Sequence, residues 1–193
     1  FYYELALYKL GWTYYKQELY EDSLHRFVAL LDYKIKTGYD FEHPQDTQDS
    51  KRIEDTYGAI SLAFSNLGGS DAVIDYFKKY GRRSYEVNVY SNLGDYYLEK
   101  RRYSDAATTF KAFVKSNPYH KVAPLFDTRV IDIYKKGGFP QLVIDSNKEF
   151  VVNYGLKSDY WKHFDIKAYP EVIGYVKTSL KELANHYHSL FQD

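Results

Sequence analysis

The sequence predicts an all-α chain, a solenoid of stacked antiparallel helix pairs, and three observations carry that reading. A pattern of large and small residues at helical spacing runs through residues 87–120, returns over residues 4–37, and returns in its first half over residues 171–191. Tyr90, Leu93, Gly94 and Tyr97 stand at i, i+3, i+4 and i+7, so they share one face of a first helix. Ala106, Phe110 and Phe113 form the matching face of a second helix, after a turn at Lys100 to Ser104 and before Asn117-Pro118, where proline ends the helix. A pair this small cannot bury its apolar faces alone, so stacked neighbours are implied.

Counted from Val87 as position 1, these residues occupy positions 4, 7, 8, 11, 20, 24 and 27, with Pro118 at 32. That set resembles the tetratricopeptide repeat, a helix-turn-helix unit of 34 residues. The resemblance implies a right-handed superhelix whose first helices line a concave surface. It covers residues 4–37 and 53–120 well and the rest loosely.

Taken in order, the first repeat spans residues 4–37, with Leu7, Leu10, Gly11 and Tyr14 on its first helix and Ser23, Phe27 and Leu30 on its second. Leu10, Gly11 and Tyr14 are expected to supply the packing between the two helices. Residues 38–52 have the composition of an acidic loop, read as a mobile insertion. A weaker repeat over 53–86 places Ala59, Ile60, Ala63, Ala72 and Tyr76 near the pattern, with a turn at Asn66 to Ser70 and Ser70 or Asp71 as helix cap. After Pro118 the pattern slips onto Pro124 and Asp127, giving a divergent helix pair over 121–155 around Gly137-Gly138-Phe139-Pro140. Residues 156–170, with Trp161 and Phe164, read as a second connection outside the repeats. In 171–191, Leu180, Leu183, Ala184 and Tyr187 make the first helix of a further repeat. A chain without Met that opens on a helical pattern and closes on a half repeat reads as a piece of a longer protein.

Composition narrows function. Lys plus Arg and Asp plus Glu are 26 each, so no global field favours nucleic acid or an anionic membrane. There is no Cys, which removes thiol chemistry and cysteine metal sites. No apolar run is long enough to span a bilayer. The six His form no metal clasp, since His186 and His188 are two apart on a helix and point away from each other. Gly68-Gly69 and Gly137-Gly138 lack the Lys of a phosphate loop, and no nucleophile motif is present. No enzyme activity, cofactor or metal is expected.

Recognition is better supported. Beside the packing stripe stand Leu5, Tyr8, Trp12 and Tyr15 in the first repeat and Asn88, Ser91, Asp95 and Leu98 in the third, which the resemblance places on the concave face. The expected partner-binding residues are Tyr8, Trp12, Tyr15, Asn88, Asn92 and Asp95, with Trp12 able alternatively to cover a neighbouring repeat. One subtype of the family grips the carboxylate end of chaperone peptides with Lys, Asn and Arg at set positions; Tyr8, Trp12, Asn88 and Asn92 stand in the corresponding places here, so that charge clamp is absent. The function implied is a non-catalytic scaffold that binds a peptide or partner protein, the alternative an aromatic groove for glycan in polysaccharide export. Runs such as Asn117-Pro118-Tyr119-His120 and Gly137-Gly138-Phe139-Pro140 are similar to large repeat proteins of Gram-negative bacterial envelopes, which implies a periplasmic or envelope-associated location.

Overall fold

In the computed structural model, which describes residues 2–41, 43 and 46–190, helix α1 (Tyr2–Lys16) turns within three residues into α2 (Tyr20–Lys36). The helices α3 (Thr47–Leu67), α4 (Ser70–Tyr80), α5 (Glu86–Glu99), α6 (Tyr103–Ser116), α7 (Ala123–Gly137), α8 (Pro140–Tyr154) and α9 (Pro170–Leu190) follow. Two short 3-10 turns, Asp159–Lys162 and Ile166–Ala168, precede α9, and every regular element among the described residues is helical. The chain divides into two units, residues 1–96 and 97–193, with the boundary inside α5.

Four short helix-to-helix turns are built alike, and the end of α2 closes the same way, with the Tyr39 N–H donating to the Lys34 carbonyl at 2.9 Å across Gly38. The backbone N–H of Leu19, Gly69, Arg102 and Phe139 donates to the carbonyl of Tyr14, Phe64, Tyr97 and Tyr134 respectively, at 2.8–3.0 Å. In each, the residue just before the donor is left-handed: Glu18 at φ 60°, Gly68 at 118°, Arg101 at 57° and Gly138 at 74°. This bond across a left-handed residue closes a helix and satisfies carbonyls that would otherwise be orphaned. The turns supply a register independent of side chains. Three residues before each aromatic anchor stand Gly11, Ser61, Gly94 and Ile131, all buried, and thirteen after it stand Phe27, Phe77, Phe110 and Asn147, each at most 2% exposed.

That register accounts for the slip after Pro118. Tyr134 follows Tyr97 by 37 residues, three more than the period of 34, so the expected positions fall three residues early. The second pair is offset by one, and Ser61, Phe64 and Phe77 take the places expected near Ile60, Ala63 and Tyr76.

In the first unit α1 packs on α2, α2 on α3 and α3 on α4. Phe27 is wholly buried, and a Cβ on Gly11 would come within 2.7 Å of its ring, so glycine is required where the helices touch. Ser23 Oγ donates to the Gly11 carbonyl at 2.9 Å beside it. The inward face of α1 is Glu4, Leu7 and Gly11. Leu10, expected in that seam, is instead 43% exposed, because the contact with α2 runs along the 4-7-11 line.

The insertion also differs from expectation. Asp46 accepts from the N–H of Gln48 and Asp49 and starts α3 at Thr47, so residues 47–52 are helical rather than loop. The residues before it fold back, with the Phe41 ring 6.3 Å from Tyr57 and 6.2 Å from Tyr85. Its remaining residues Glu42, Pro44 and Gln45 lie outside the described residues. Buried charges fasten it: Lys34 Nζ reaches both Glu4 and Asp49 at 2.8 Å, and Arg52 lies 3.6 Å from Glu4 and 3.7 Å from Asp49. Burial alone pushes the Lys34 ammonium down, but its hydrogen bonds to Asp49 and Glu4 outweigh this and hold it above the ordinary lysine value. At the head of α4, Gly69 rather than Ser70 or Asp71 takes the cap position, with no side-chain cap.

In the second unit α6 packs on α7, α7 on α8 and α8 on α9. Phe110 and Phe113 meet Phe126 at 4.9 and 5.1 Å. The connection 156–170 is closely packed: Tyr160 stacks on Phe164 at 4.8 Å, and Trp161 Nε1 donates to the Tyr154 carbonyl at 3.0 Å. Helix α9 buries Val172, Val176 and Ser179. Its expected stripe faces outward, with Leu180 48% and Tyr187 40% exposed.

Candidate ligand-binding surface

The rings expected to bind a partner form one row on α1. Tyr8 and Trp12 meet edge to face at 6.4 Å, Trp12 and Tyr15 at 5.6 Å, and Tyr15 continues to Tyr20 at 5.4 Å. Phe27 anchors the row from below, 6.2 Å from Tyr8 and 5.7 Å from Trp12. Tyr8, Trp12 and Tyr15 are each partly buried. Trp12 therefore leans on the second helix of its own pair. Edge-to-face pairs at these spacings are worth roughly 0.5–1.5 kcal/mol beyond area burial, so the row is held in place.

The polar residues occupy α5. Asn88 Nδ2 donates to the Tyr57 hydroxyl at 3.3 Å, and Asn92 Nδ2 donates to the Asn88 carbonyl at 2.8 Å. Burial pushes the Tyr57 phenol up to about 12 against the lowering effect of the Asn88 bond, so it stays neutral and able to donate. Asp95 is partly buried one turn from Asn92. The structure thus sets Tyr8 and Trp12 against Phe27 with Tyr15 beside Trp12, and sets Asn88 against Tyr57 with Asn92 bonded to the Asn88 carbonyl.

Sequence reasoning missed the groove that Asn88 borders. Its volume is about 470 Å³, and Tyr39, Asp40, Phe41, Tyr85 and Val87 line it together with Asn88. Tyr85 is fixed by donating its hydroxyl to Asp32 at 2.6 Å, and Arg83 Nε donates to the same carboxylate at 2.9 Å. The only signal in the sequence was the pair of rings Tyr39 and Phe41 at the head of an otherwise polar insertion.

Several basic residues around the end of α4 and the start of α6 are engaged with carboxylates. Lys79 lies 3.3 Å from Glu21, Arg82 3.0 Å from Glu86 and Arg102 2.7 Å from Asp105. No group of three or more His, Asp or Glu arranged to hold a metal occurs among the described residues. No helix among them is long and apolar enough to cross a membrane.

No known family matches the sequence, and a search of curated proteins finds no match either.

Proposed function

We propose that the chain is a non-catalytic scaffold of tetratricopeptide type, a right-handed solenoid that holds a peptide or partner protein on the concave face of its first helices. The four like turns, and the small residue and phenylalanine repeated around three of them, support the repeat assignment. The α9 stripe fits the first helix of a further repeat, and association with an envelope complex follows from the resemblance alone.

The observation that carries the binding reading is the ring row Tyr8, Trp12 and Tyr15, supported from beneath by Phe27 and partly open above. Trp and Tyr dominate binding hot spots because they bury much area with little entropy to lose. Trp12→Ala tests it. Retention of partners by the full-length protein should fall with a loss of about 2 kcal/mol or more of binding energy, near thirtyfold. Because Trp12 also touches Phe27, the melting temperature is measured beside it. Unfolding without selective loss of binding would make Trp12 a core residue.

A second reading is favoured by the same open rings: stacking faces suit sugars, and the chain would then serve glycan export. Salt-insensitive binding of neutral oligosaccharides, lost in Trp12→Ala, distinguishes it.

A further inference from the structure

We infer that α9 and the start of α8 form an open seat for a short amphipathic helix of a partner protein, one that lays an aromatic residue on Ala184, sets a second ring into the hollow beside Ile144 and brings acidic residues to Lys177 and Lys181. This rests on the scaffold reading and adds to it a second binding face, separate from the ring row of α1.

Three observations carry it. First, the register of the turns continues into α9: Tyr187 stands in the place of Phe64, and Ala184, three residues earlier, in that of Ser61. Ser61 and Phe64 are at most 1% exposed, with the Tyr76 ring of α4 set 5.7 Å from Phe64. Ala184 and Tyr187 are exposed. Helices α3 and α9 are both 21 residues long and both follow a connection outside the repeats, so α9 is built as α3 is and lacks, among the described residues, the helix that covers it. Second, the seat has depth. Beside the stripe lies a hollow of about 480 Å³, walled by Phe139, Pro140, Val143 and Ile144 together with His186 of α9. Ile144 stands ten residues after Tyr134, as Leu24 does after Tyr14. At Leu24 the equivalent hollow is only about 250 Å³, because Ala72, Tyr76 and Tyr80 of α4 wall it. The rings of α4 thus show what the larger hollow beside α8 takes. Third, charge selects the partner. Lys177 stands seven residues before Ala184 and Lys181 three before it, so both border the stripe. Both are exposed, and neither is paired with a carboxylate among the described residues. Glu182, by contrast, is taken up by Lys135 at 2.6 Å and Asn147 at 3.0 Å. A helix in a groove is held by its apolar face, and charges at the rim decide which helix is admitted.

A second copy of the chain offers no such segment. Its nearest match, α4, keeps Tyr76 and Phe77 buried and carries Lys78 and Lys79 directly after them, which the basic border of the seat repels.

The test uses the whole chain, isotope-labelled, with three synthetic peptides as probes: residues 69–81, the same peptide with Lys78→Glu and Lys79→Glu, and that acidic peptide with Tyr76→Ser and Phe77→Ser. The acidic peptide should shift the Ile144, Leu180 and Ala184 methyl signals, with affinity that falls as salt is added, and should bind roughly tenfold more tightly than either of the others. Ala184→Arg fills the seat from an exposed helical position, so it leaves the fold intact and should abolish the shifts. Lys177→Glu with Lys181→Glu should reverse the preference toward the basic peptide. No shift, shifts confined to residues 1–96, equal binding of the three peptides, or binding unchanged in Ala184→Arg would overturn the proposal. A dimer that Ala184→Arg dissolves would make the occupant a second copy, and a full-length protein that no longer takes the peptide would make it the chain itself; either outcome overturns the partner assignment. Trp12→Ala is carried in parallel: partner loss in that variant with no peptide response refutes the seat alone, whereas a peptide response with partner retention untouched by Trp12→Ala refutes the ring row and leaves the seat.

Discussion

Replacing Asp127 by Asn should stabilise the second unit at neutral pH and remove most of its dependence on pH. Asp127 stands on α7 where burial raises its carboxyl to about 6, against the lowering effects of the Tyr154 hydroxyl, which donates to it at 2.8 Å, and of Lys111. Lys111 is itself paired with Glu149 at 3.0 Å. The folded state therefore binds this proton more tightly than the unfolded chain, whose Asp titrates near the ordinary value of 3.8. Stability contributed by the protonated form is full at acid pH and is lost as pH rises from about 4 through about 6. A difference of about two pKa units corresponds to roughly 3 kcal/mol; Asp127 keeps some surface, so screening reduces this to about 2 kcal/mol. Asn preserves the shape and can still accept from Tyr154. Urea unfolding followed at Trp161, whose indole is bonded to the Tyr154 carbonyl, in a Trp12→Phe background reads this unit. The parent should lose about 2 kcal/mol between pH 4 and pH 7.5 relative to Asp127→Asn. Parallel profiles, or an Asn variant less stable at pH 7.5, would refute the reasoning.

Three further outcomes follow from the packing. Gly11→Ala gains helix propensity yet drives a Cβ to 2.7 Å from the buried Phe27 ring, so a net loss of about 1–3 kcal/mol is expected, and a neutral result by thermal melting would contradict the close approach. Arg101→Gly relieves a left-handed L-residue at φ 57°; strain of about 1–2 kcal/mol less the glycine entropy cost predicts a gain of roughly 0.5–1 kcal/mol, checked by denaturant midpoint. Lys34→Met leaves Glu4 and Asp49 sharing Arg52 alone, for a loss of about 3 kcal/mol; a change below about 1 kcal/mol measured at Trp12 would show that the cluster contributes little.

The helices around Gly11 and Gly94 were legible because their apolar residues follow the helical period and their ends carry recognisable stops. The turn expected at Lys100 to Ser104 and the stop at Asn117-Pro118 coincide with the gap before Tyr103 and the end of α6 at Ser116. The start of α3 was hidden for the opposite reason: its first turn, Thr47-Gln48-Asp49-Ser50, is polar, and the apolar face begins only at Ile53. For Glu4 and Lys34 the sequence shows polarity but not that two charges 30 residues apart neutralise each other in the interior. The row Tyr8, Trp12 and Tyr15 was visible as rings in excess of the packing stripe. The groove at Asn88 was not, because it needs residues 39–41 and 84–88 brought together by the fold.

Helices α7 and α8 keep one part of the pattern of the earlier helices and change another. The turn preserves its backbone, with Phe139 N–H on the Tyr134 carbonyl at 3.0 Å, although three added residues move its register. Inside that frame sizes are exchanged: where the first and third pairs set Gly11 and Gly94 in one helix and Phe27 and Phe110 in the next, the fourth sets Ile131 and Asn147. The smaller residue now stands on the second helix and the larger on the first, where Ile131 belongs to the buried cluster of Phe150 and Tyr154. Asn147 is 1% exposed and cannot be left unsatisfied; it donates to the Val143 carbonyl and to Glu182 on α9, both at 3.0 Å. Asp127 likewise takes the buried place held elsewhere by Leu7, Tyr57 and Tyr90, and the Tyr154 hydroxyl meets it. Both polar substitutions are viable because a later helix supplies the partner, Tyr154 from α8 and Glu182 from α9. Asp127 thereby ties α7 to α8 and Asn147 ties α8 to α9, by hydrogen bonds that the apolar contact between Gly11 and Phe27 does not need.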